Sequence, residues 1–435
     1  MSHLDQPLDA VSADSLASQS LRLTLVDTTD SAVFDAWLRA DLRGFHSEVA
    51  DEQLATLRDA FAYRRTTAVY DDGIAEPTSP VATANSWTGE LSVPGDRVVP
   101  AWAISSVTVA PTHRRRGIAR ALLEAELRTA SAAGVPLAML TVSESTLYER
   151  YGFGPAAFAS DYRIDTSRVR WSGPEHPGRI HLIGVDEYLA RAPELFERTR
   201  VAEPGQMELW PLRWAEIARQ HGDNATKARR VRAVRYDDVE GTPRGYAVYD
   251  VTGGDDDYTA HVATLHFLLA DGAEAYAALW RFVLELPLVR TVVAPLRSVD
   301  EPVRWMLGDW RAATATTADH LWLRVLDLPA AFAARGATVD AAIGLSIDDP
   351  SGLIAGDWRV EAREGAFTAT RMSVPSPELP VVALDAAAVA SLYLGGVSAV
   401  TLAAAGRVQE RTEGAAAAAD SLLRSPRTPW LGVWF

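Results

Sequence analysis

One junction constrains the fold of this chain more than any other: a strand pattern that runs into three consecutive arginines and a glycine. Val107 and Val109 alternate with polar neighbours, as in a half-buried β-strand. Pro111 ends this strand because it has no N–H group to donate. Apolar residues then recur at helical spacing from Ile118 onward. The pattern therefore predicts a strand, a basic loop and a helix N-terminus, in that order.

The same junction is suited to bind a phosphate group. The first turn of a helix leaves backbone N–H groups unpaired and carries a partial positive charge, and Gly117 lets a ligand come close to the backbone. A Walker loop is excluded because the chain has no Gly-Lys pair, and the three glycines of the dinucleotide fingerprint are also missing. What remains is Arg-x-x-Gly-x-Ala at Arg114, Gly117 and Ala119. Taken alone, this short pattern also fits a solvated basic turn that caps a surface helix.

In its strand–loop–helix context, the loop resembles the acetyl-coenzyme A loop of the GNAT superfamily of N-acetyltransferases, usually written Arg/Gln-x-x-Gly-x-Gly/Ala. The resemblance implies that backbone N–H groups of residues 115–120 hold the pyrophosphate, and that two arginine side chains add charge-assisted bonds. The pantetheine arm would lie along the preceding strand and pair with its backbone. The implied coenzyme-binding residues are Val107, Thr108, Val109, Arg114, Arg115, Arg116, Gly117, Ile118, Ala119, Arg120, Ser143 and Glu144.

A second motif follows a predicted buried strand over 137–142. A short helix should begin there, since Thr146 and Glu149 fit a capping box. In many GNAT enzymes a Tyr-x-x-x-Gly-Phe run follows the fifth strand, and here it begins at Tyr148. The resemblance implies that Tyr148 protonates the departing thiolate, because a phenol with a pKa near 10 stays protonated at neutral pH. Without that resemblance, a half-buried packing role would be preferred, and Tyr151 fits such a role better.

Composition restricts the class of protein. The 435 residues suffice for roughly three domains, and the net charge of −15 argues against nucleic acid or an anionic membrane as a partner. Attraction of cationic amines and plain solubility explain this charge equally well. The absence of cysteine excludes disulfides, thiolate nucleophiles and Cys-ligated zinc, so an acetyl group would pass directly to the acceptor. No metal-ligand spacing, signal peptide or membrane-spanning run is recognisable, which predicts a cytoplasmic protein without a metal.

Element patterns divide the chain into successive regions. The second region repeats the element order of the first, but its loop at 268–272 has no arginine, and Asp271 there would repel phosphate. A polar stretch over 165–179, with several Gly and Pro residues, is predicted as a linker. The predicted segments are 1–20, a disordered leader; 21–170, the domain that binds acetyl-CoA; 180–325, a degenerate acetyltransferase-like domain; and 326–435, a compact α+β module.

This order resembles the Eis (enhanced intracellular survival) family of acetyltransferases. The resemblance is carried by residues 107–117, 148–154 and 391–396 and by the aromatic final residue. It implies an α+β fold with mixed α/β sheets: two tandem acetyltransferase-like domains, the second degenerate, and a sterol-carrier-like C-terminal domain. It also implies acetyl-CoA as co-substrate, a polyamine-like or aminoglycoside-like primary amine as acceptor, and a homo-hexamer.

The family supplies its general base from the C-terminal carboxylate, which here belongs to Phe435. The apolar segment 430–435 should bury its side chains and carry the carboxylate into a drier place, where its pKa rises. The alternative is a terminus that docks with its charge at the surface. No acidic residue lies within this segment, which weakens the case for aminoglycosides. A backbone N–H near Val107 could bind the oxyanion. His46 and Glu48 could contact the amine, although a solvated loop histidine is the simpler interpretation.

Two further functions remain open from the sequence. A non-catalytic acyl-CoA-binding or sensing protein would need the arginine loop but neither the tyrosine nor a buried terminus. A lipid or sterol carrier would be argued from the last module alone, and a likeness in fold is a weak basis for that function.

Overall fold

The computed structural model describes residues 2–220, 230–254, 257–373 and 379–435. The chain divides into two compact units, the first made of residues 1–157, 321–426 and 435, and the second of residues 158–320 and 427–434. Strands β6 (Gly154–Asp165) and β12 (Ala313–Val325) contribute residues to both units.

The N-terminal part of the first unit is a sheet flanked by helices. Its strand order is β1-β2-β3-β4-β5, and residues 321–325 of β12 pair with β5. The pair β4–β5 is parallel and the other pairs are antiparallel, so α4 makes the crossover that a parallel pair requires. The elements are α1 (Ala10–Ala17), β1 (Arg22–Leu25), α2 (Ser31–Gly44), α3 (Asp51–Phe61), β2 (Arg65–Tyr70), β3 (Ala82–Val93), β4 (Arg97–Val109), α4 (Ile118–Ala132) and β5 (Leu137–Thr141).

The first twenty residues differ from the predicted disordered leader, because they contain α1 packed against α4. Asp9 caps α1 by accepting from the Ser12 N–H, and it pairs with Arg128 of α4 at 2.8 Å. The Ser12 hydroxyl donates to the Ala121 carbonyl, and Leu16 is fully buried. A polar composition concealed these specific long-range partners, which order the segment.

The C-terminal part of the first unit is the predicted α+β module. Its sheet has the order β15-β14-β13-β16-β17. Strands β16 and β17 are short, and helix α11 is rich in alanine. The elements are α8 (Leu328–Ala334), β13 (Ala341–Asp348), β14 (Gly356–Arg363), β15 (Ala366–Arg371), β16 (Val381–Asp385), α9 (Ala386–Tyr393), α10 (Ala399–Ala404), β17 (Val408–Glu410) and α11 (Ala415–Leu423).

The second unit repeats the topology of the first, as predicted. Its sheet has the order β6-β11-β10-β9-β8-β7, with β10–β11 as the parallel pair and α7 as its crossover. The predicted linker is partly structured, since Trp171 bridges to Leu307 and packs on the core. The further elements are β7 (Arg179–Ile183), α5 (Val185–Arg200), α6 (Pro211–Ile217), β8 (Arg232–Asp237), β9 (Pro243–Thr252), β10 (His261–Ala270), α7 (Ala273–Leu284) and β11 (Val289–Arg297).

Two features are absent from the described residues. No helix there is long and apolar enough to cross a membrane. No group of three or more His, Asp or Glu residues there could hold a metal ion.

Candidate active site

The arginine loop joins β4 to α4 as predicted. Gly117 precedes the helix with a φ of +76°, a left-handed conformation that glycine adopts without strain. A Cβ atom placed there would meet no atom within 4 Å, so the space in front of the residue is open. No side chain caps the helix, which leaves N–H groups of its first turn available. This arrangement fits the pyrophosphate of a coenzyme.

The arginines of the loop fall into two groups. Arg114 and Arg115 are exposed and have no ion pair among the described residues. Arg116 instead donates to the Asp71 carboxylate at 3.4 Å and to the Gln19 carbonyl at 2.9 Å. The Arg120 side chain pairs with Glu124 on the same helix. Only the backbone N–H groups of Arg116 and Arg120 therefore remain suited to the predicted contact.

Sequence reasoning missed His113, which fixes the base of the loop. His113 is 5% exposed, with Nε2 3.0 Å from the Asp71 carboxylate and Nδ1 2.8 Å from the Thr112 hydroxyl. The hydrogen bond from His113 is the main cause that lowers the pKa of Asp71. Asp71 thus ties both His113 and Arg116 to the end of β2. The histidine next to the arginines was visible in the sequence, but its distant partner was not.

Beside this loop, β4 and β5 separate. Their parallel register covers Ala101 to Ala103 and, among the described residues, goes no further along β4. The register between β3 and β4 shifts close to Ser106, whose φ of +58° marks a bulge. Val107 and Val109 are half-buried. The Oγ1 atom of Thr108 lies 2.6 Å from that of Thr83. The gap between the strands is where the pantetheine arm is expected.

The C-terminal residue lies at the end of β5. The Thr141 hydroxyl donates to a carboxylate oxygen of Phe435 at 2.8 Å, and the Phe435 N–H lies 3.4 Å from the same hydroxyl. The Phe435 ring packs edge-on against Trp87, with centroids 5.7 Å apart. Phe435 is half-buried, whereas Trp434 is 47% exposed and packs edge-on against His320. The terminal carboxylate is therefore held at the strand end that precedes Ser143 and Glu144.

Tyr148 is held in a tight turn that differs from the predicted short helix. Two 3₁₀ turns, Ser145–Leu147 and Glu149–Tyr151, flank it, and no side chain caps the first turn. The predicted capping box is wrong, because Glu149 pairs with Arg407 instead. Tyr148 is 9% exposed. Burial, with smaller contributions from Glu144 and Tyr151, raises the pKa of its phenol.

The turn that holds Tyr148 packs against β12 and against the C-terminal α+β module of the first unit. Gly152 has a φ of +80°, and a Cβ atom there would lie 2.6 Å from the Arg324 guanidinium. Arg324 is fully buried and donates to both carboxylate oxygens of Asp349, at 2.8 and 2.7 Å. At Gly154 a Cβ atom would collide with the Ala387 carbonyl. The tyrosine's position therefore depends on packing that the local motif does not reveal.

The connection between α2 and α3 holds the remaining predicted contacts. His46 and Glu48 are exposed and line an open groove together with Arg39 and Arg43. His46 has a φ of +56°, and neither residue touches the terminal carboxylate or Tyr148 in the hydrogen bonds of the structure. These residues are consistent with the simpler interpretation of a solvated loop.

The second unit has a corresponding junction between its two parallel strands, with an acidic residue before the glycine. β10 leads through Gly272, with a φ of +100°, into α7. Asp271 precedes this glycine and pairs with Arg244 at 3.0 Å and with Arg198 at 3.3 Å. A carboxylate thus stands where the first junction presents Arg114 and Arg115, and the loss of phosphate binding at the second junction stays a prediction.

Comparison with known proteins places these features in a family. The chain matches the family model "Acetyltransferase (GNAT) domain" over residues 26–156, a second model of that description over 205–325, and "Sterol carrier protein domain" over 328–432. It is 35% identical to an "uncharacterized N-acetyltransferase" of Streptomyces avermitilis, covering 91% of this chain and 94% of that one.

Two further relatives carry the family's name. The N-acetyltransferase Eis of Mycobacterium tuberculosis is 30% identical over 79% of this chain and 83% of its own. The crystal structure of Eis1 from Mycobacterium abscessus superposes with a TM-score of 0.78 at 26% identity, covering 95% of this chain and all of that one. The predicted fold class is confirmed, with two GNAT domains followed by a sterol-carrier-like domain. The chain is an N-acetyltransferase of the Eis family.

Proposed function

We propose that this enzyme transfers acetyl directly from acetyl-CoA to a primary amine of a small cationic acceptor, with Tyr148 as general acid and the Phe435 carboxylate as general base. The observation that carries the proposal is the 2.8 Å hydrogen bond that holds this carboxylate on Thr141, at the end of the strand leading to Tyr148. Thr141 ends β5 and Tyr148 lies in the turn that follows it, so both groups are attached beyond the same end of this strand.

The base is needed because an alkyl ammonium has no free lone pair. With a pKa near 10, it must lose a proton before it can attack a thioester. The Phe435 carboxylate would remove this proton, directly or through a water molecule. Its Thr141 hydrogen bond leaves a second carboxylate oxygen to accept it.

The acid and the oxyanion donor act on the other side of the reaction. Attack on the thioester places negative charge on its oxygen, and the backbone N–H of Val107, next to the bulge, would stabilise it. When the intermediate collapses, the thiolate needs a proton. The raised pKa of Tyr148 keeps its phenol protonated at neutral pH and able to donate.

The coenzyme would be bound by the arginine loop and by the gap between β4 and β5. The N–H groups after Gly117 and the side chains of Arg114 and Arg115 would hold its pyrophosphate. Val107, Thr108 and Val109 would line its arm. The same reasoning keeps Ser143 and Glu144, both exposed at the end of β5, as flanking contacts.

Replacing both free arginines, Arg114→Gln with Arg115→Gln, should weaken coenzyme A binding by about tenfold or more. Each charge-assisted hydrogen bond contributes on the order of 1.5–3 kcal/mol, and about 1.4 kcal/mol corresponds to a factor of ten. Calorimetric titration with coenzyme A measures the effect. Arg120→Gln is the matched control. The Arg120 side chain already pairs with Glu124, so its replacement should change the affinity for coenzyme A little. Equal losses in the two variants would contradict the assignment.

The acceptor is proposed from the surroundings of the base. The contacts that the structure gives Phe435 are a hydroxyl and the ring of Trp87, which itself stacks edge-on with Tyr63 at 6.0 Å. Aromatic rings beside one carboxylate suit the ammonium group at the end of an alkyl chain, which small amines and polyamines share. We therefore favour small amines and polyamines as acceptors.

The homo-hexamer stays a prediction from the family resemblance, and the cytoplasmic location stays a prediction from the composition.

The direct experiment measures release of free coenzyme A thiol from acetyl-CoA with a panel of amines. We expect turnover with primary alkyl amines and polyamines, and less with aminoglycosides. Acetyl-CoA binding without amine-dependent thiol release across the panel would overturn the proposed reaction and favour an acyl-CoA-binding protein.

A further inference from the structure

One buried carboxyl group, which contacts the bulge of β4, has no part in the reaction proposed above. Asp41 of α2 is 7% exposed and lies on a helix whose other buried side chains include Phe34, Trp37 and Leu38. Its Oδ2 atom accepts from the Ser106 hydroxyl at 3.3 Å, while Oδ1 is buried without a hydrogen-bond partner. A buried and partly unpaired carboxyl group is costly to fold, so it points to a function rather than to packing.

Asp41 contacts the bulge of β4. Ser106 has a φ of +58°, a strained conformation for a residue other than glycine. Its hydroxyl also accepts from Nδ2 of Asn85 at 3.0 Å, and its carbonyl accepts from the Thr83 hydroxyl at 2.9 Å. The strained residue is therefore fixed by three side chains from α2 and β3.

The bulge decides where the following backbone groups point. β4 loses its pairing with β5 after Ala103, and Val107 comes directly after Ser106. We propose that Asp41 is a positioning residue of the active site: through the Ser106 hydroxyl it holds the bulge so that the Val107 N–H faces the reacting carbonyl. This inference rests on the proposed function, since it gives the Val107 N–H its role.

The charge of Asp41 adds an independent signature. Burial raises its pKa to about 7, against the lowering effects of the Ser106 hydrogen bond and of Arg64. The neighbouring elements present Asn85 and Ser106, which do not titrate in this range, and Arg58 of α3 is paired with Asp35 at 2.7 Å. On α2 itself, Arg39 pairs with Asp51, and Arg43 donates to the Pro80 carbonyl.

The raised pKa of Asp41 makes the stability of the protein depend on pH. In the unfolded chain Asp41 loses its proton near pH 4, whereas in the folded protein it keeps the proton up to about pH 7. Folding therefore takes up a proton between these values, and this contribution to stability is lost as the pH rises to about 7. Asp41→Asn cannot titrate, so its melting temperature should rise relative to the native protein across this window.

The test compares Asp41→Ala, Ser106→Ala and Asp41→Asn, with Asp35→Asn on the same helix as control. We expect Asp41→Ala and Ser106→Ala to lower kcat by about ten- to a hundredfold, with less than about a threefold change in the KM for acetyl-CoA. The kcat of the double variant should be no lower than that of the poorer single variant, since both substitutions break the same Asp41–Ser106 contact. Asp41→Asn, whose amide oxygen can accept from Ser106, should stay within about threefold of the native kcat, and this variant also covers the case in which Asp41→Ala does not fold.

Several outcomes overturn the inference. These are effects of Asp41→Ala and Ser106→Ala that multiply, a kcat unchanged in both, or Asp41→Asn as inactive as Asp41→Ala. If the native protein turns over no amine, the proposed function fails. Amide hydrogen exchange at Val107 and Thr108 then still measures how firmly the bulge is held. Exchange there should accelerate in Asp41→Ala and Ser106→Ala but not in Asp35→Asn, and unchanged exchange in all variants refutes the positioning role.

Discussion

Adding a few Gly and Ser residues after Phe435 should abolish acetyl transfer while coenzyme binding survives. The extension turns the terminal carboxylate into a peptide carbonyl, which can still accept from Thr141 and leaves the ring free to pack on Trp87. The negative charge alone is moved away. Loss of a general base should lower kcat by about two to four orders of magnitude, measured as thiol release with a saturating amine.

The extension has a matched control and a second readout. The same residues added before Met1 should leave the rate unchanged, because they do not alter Phe435. Coenzyme A affinity, measured by calorimetry, should be equal in all three proteins, since the phosphate loop after β4 is untouched. An extended protein with the native kcat would contradict the assignment of the base.

Thr141 holds the Phe435 carboxylate in place. It is half-buried, and its hydroxyl is the polar contact that fixes the Phe435 carboxylate. The local sequence shows only a threonine that ends a buried strand. The contact itself joins residues separated by most of the chain, which explains why the apolar terminal segment predicted burial but not where the carboxylate would lie.

Local chemistry made much of the coenzyme loop predictable. Pro111 and the spacing from Ile118 gave the strand end and the helix start to within a residue, because both depend on neighbouring side chains. Gly117 was identifiable because a left-handed residue before an uncapped helix favours glycine. The repeated element order likewise predicted a second GNAT-like region, and the family models confirm it.

The capping box and the disordered leader failed as predictions because they depended on partners that are distant in sequence. Charge alone could not show that Arg116 is committed to Asp71, or that Glu149 pairs with Arg407 rather than capping a helix. Asp41 attracts no attention in the sequence, because an aspartate on an amphipathic helix is ordinarily solvated. Its burial beside the bulge became apparent only in three dimensions.

Tyr148→Phe should lower kcat by about two to four orders of magnitude, because the departing thiolate loses its proton donor. The change removes one oxygen atom and keeps the ring that packs edge-on against Phe153 at 6.3 Å. Folding and coenzyme affinity should therefore be preserved, and thermal melting and calorimetry check them. Tyr151→Phe is the matched control, since this half-buried tyrosine lies on the same turn and is assigned only to packing.

The pH profile separates an acid from a packing residue. Burial raises the pKa of Tyr148 above its ordinary value of 10, so the phenol remains protonated throughout the neutral and mildly alkaline range. If Tyr148 is the acid, its loss of a proton lowers the native rate only above pH 10, and Tyr148→Phe abolishes that alkaline limb. Equal rates in Tyr148→Phe and Tyr151→Phe would instead show that the thiolate leaves without help from this residue, and the acid would have to be sought in water or in the coenzyme-binding loop.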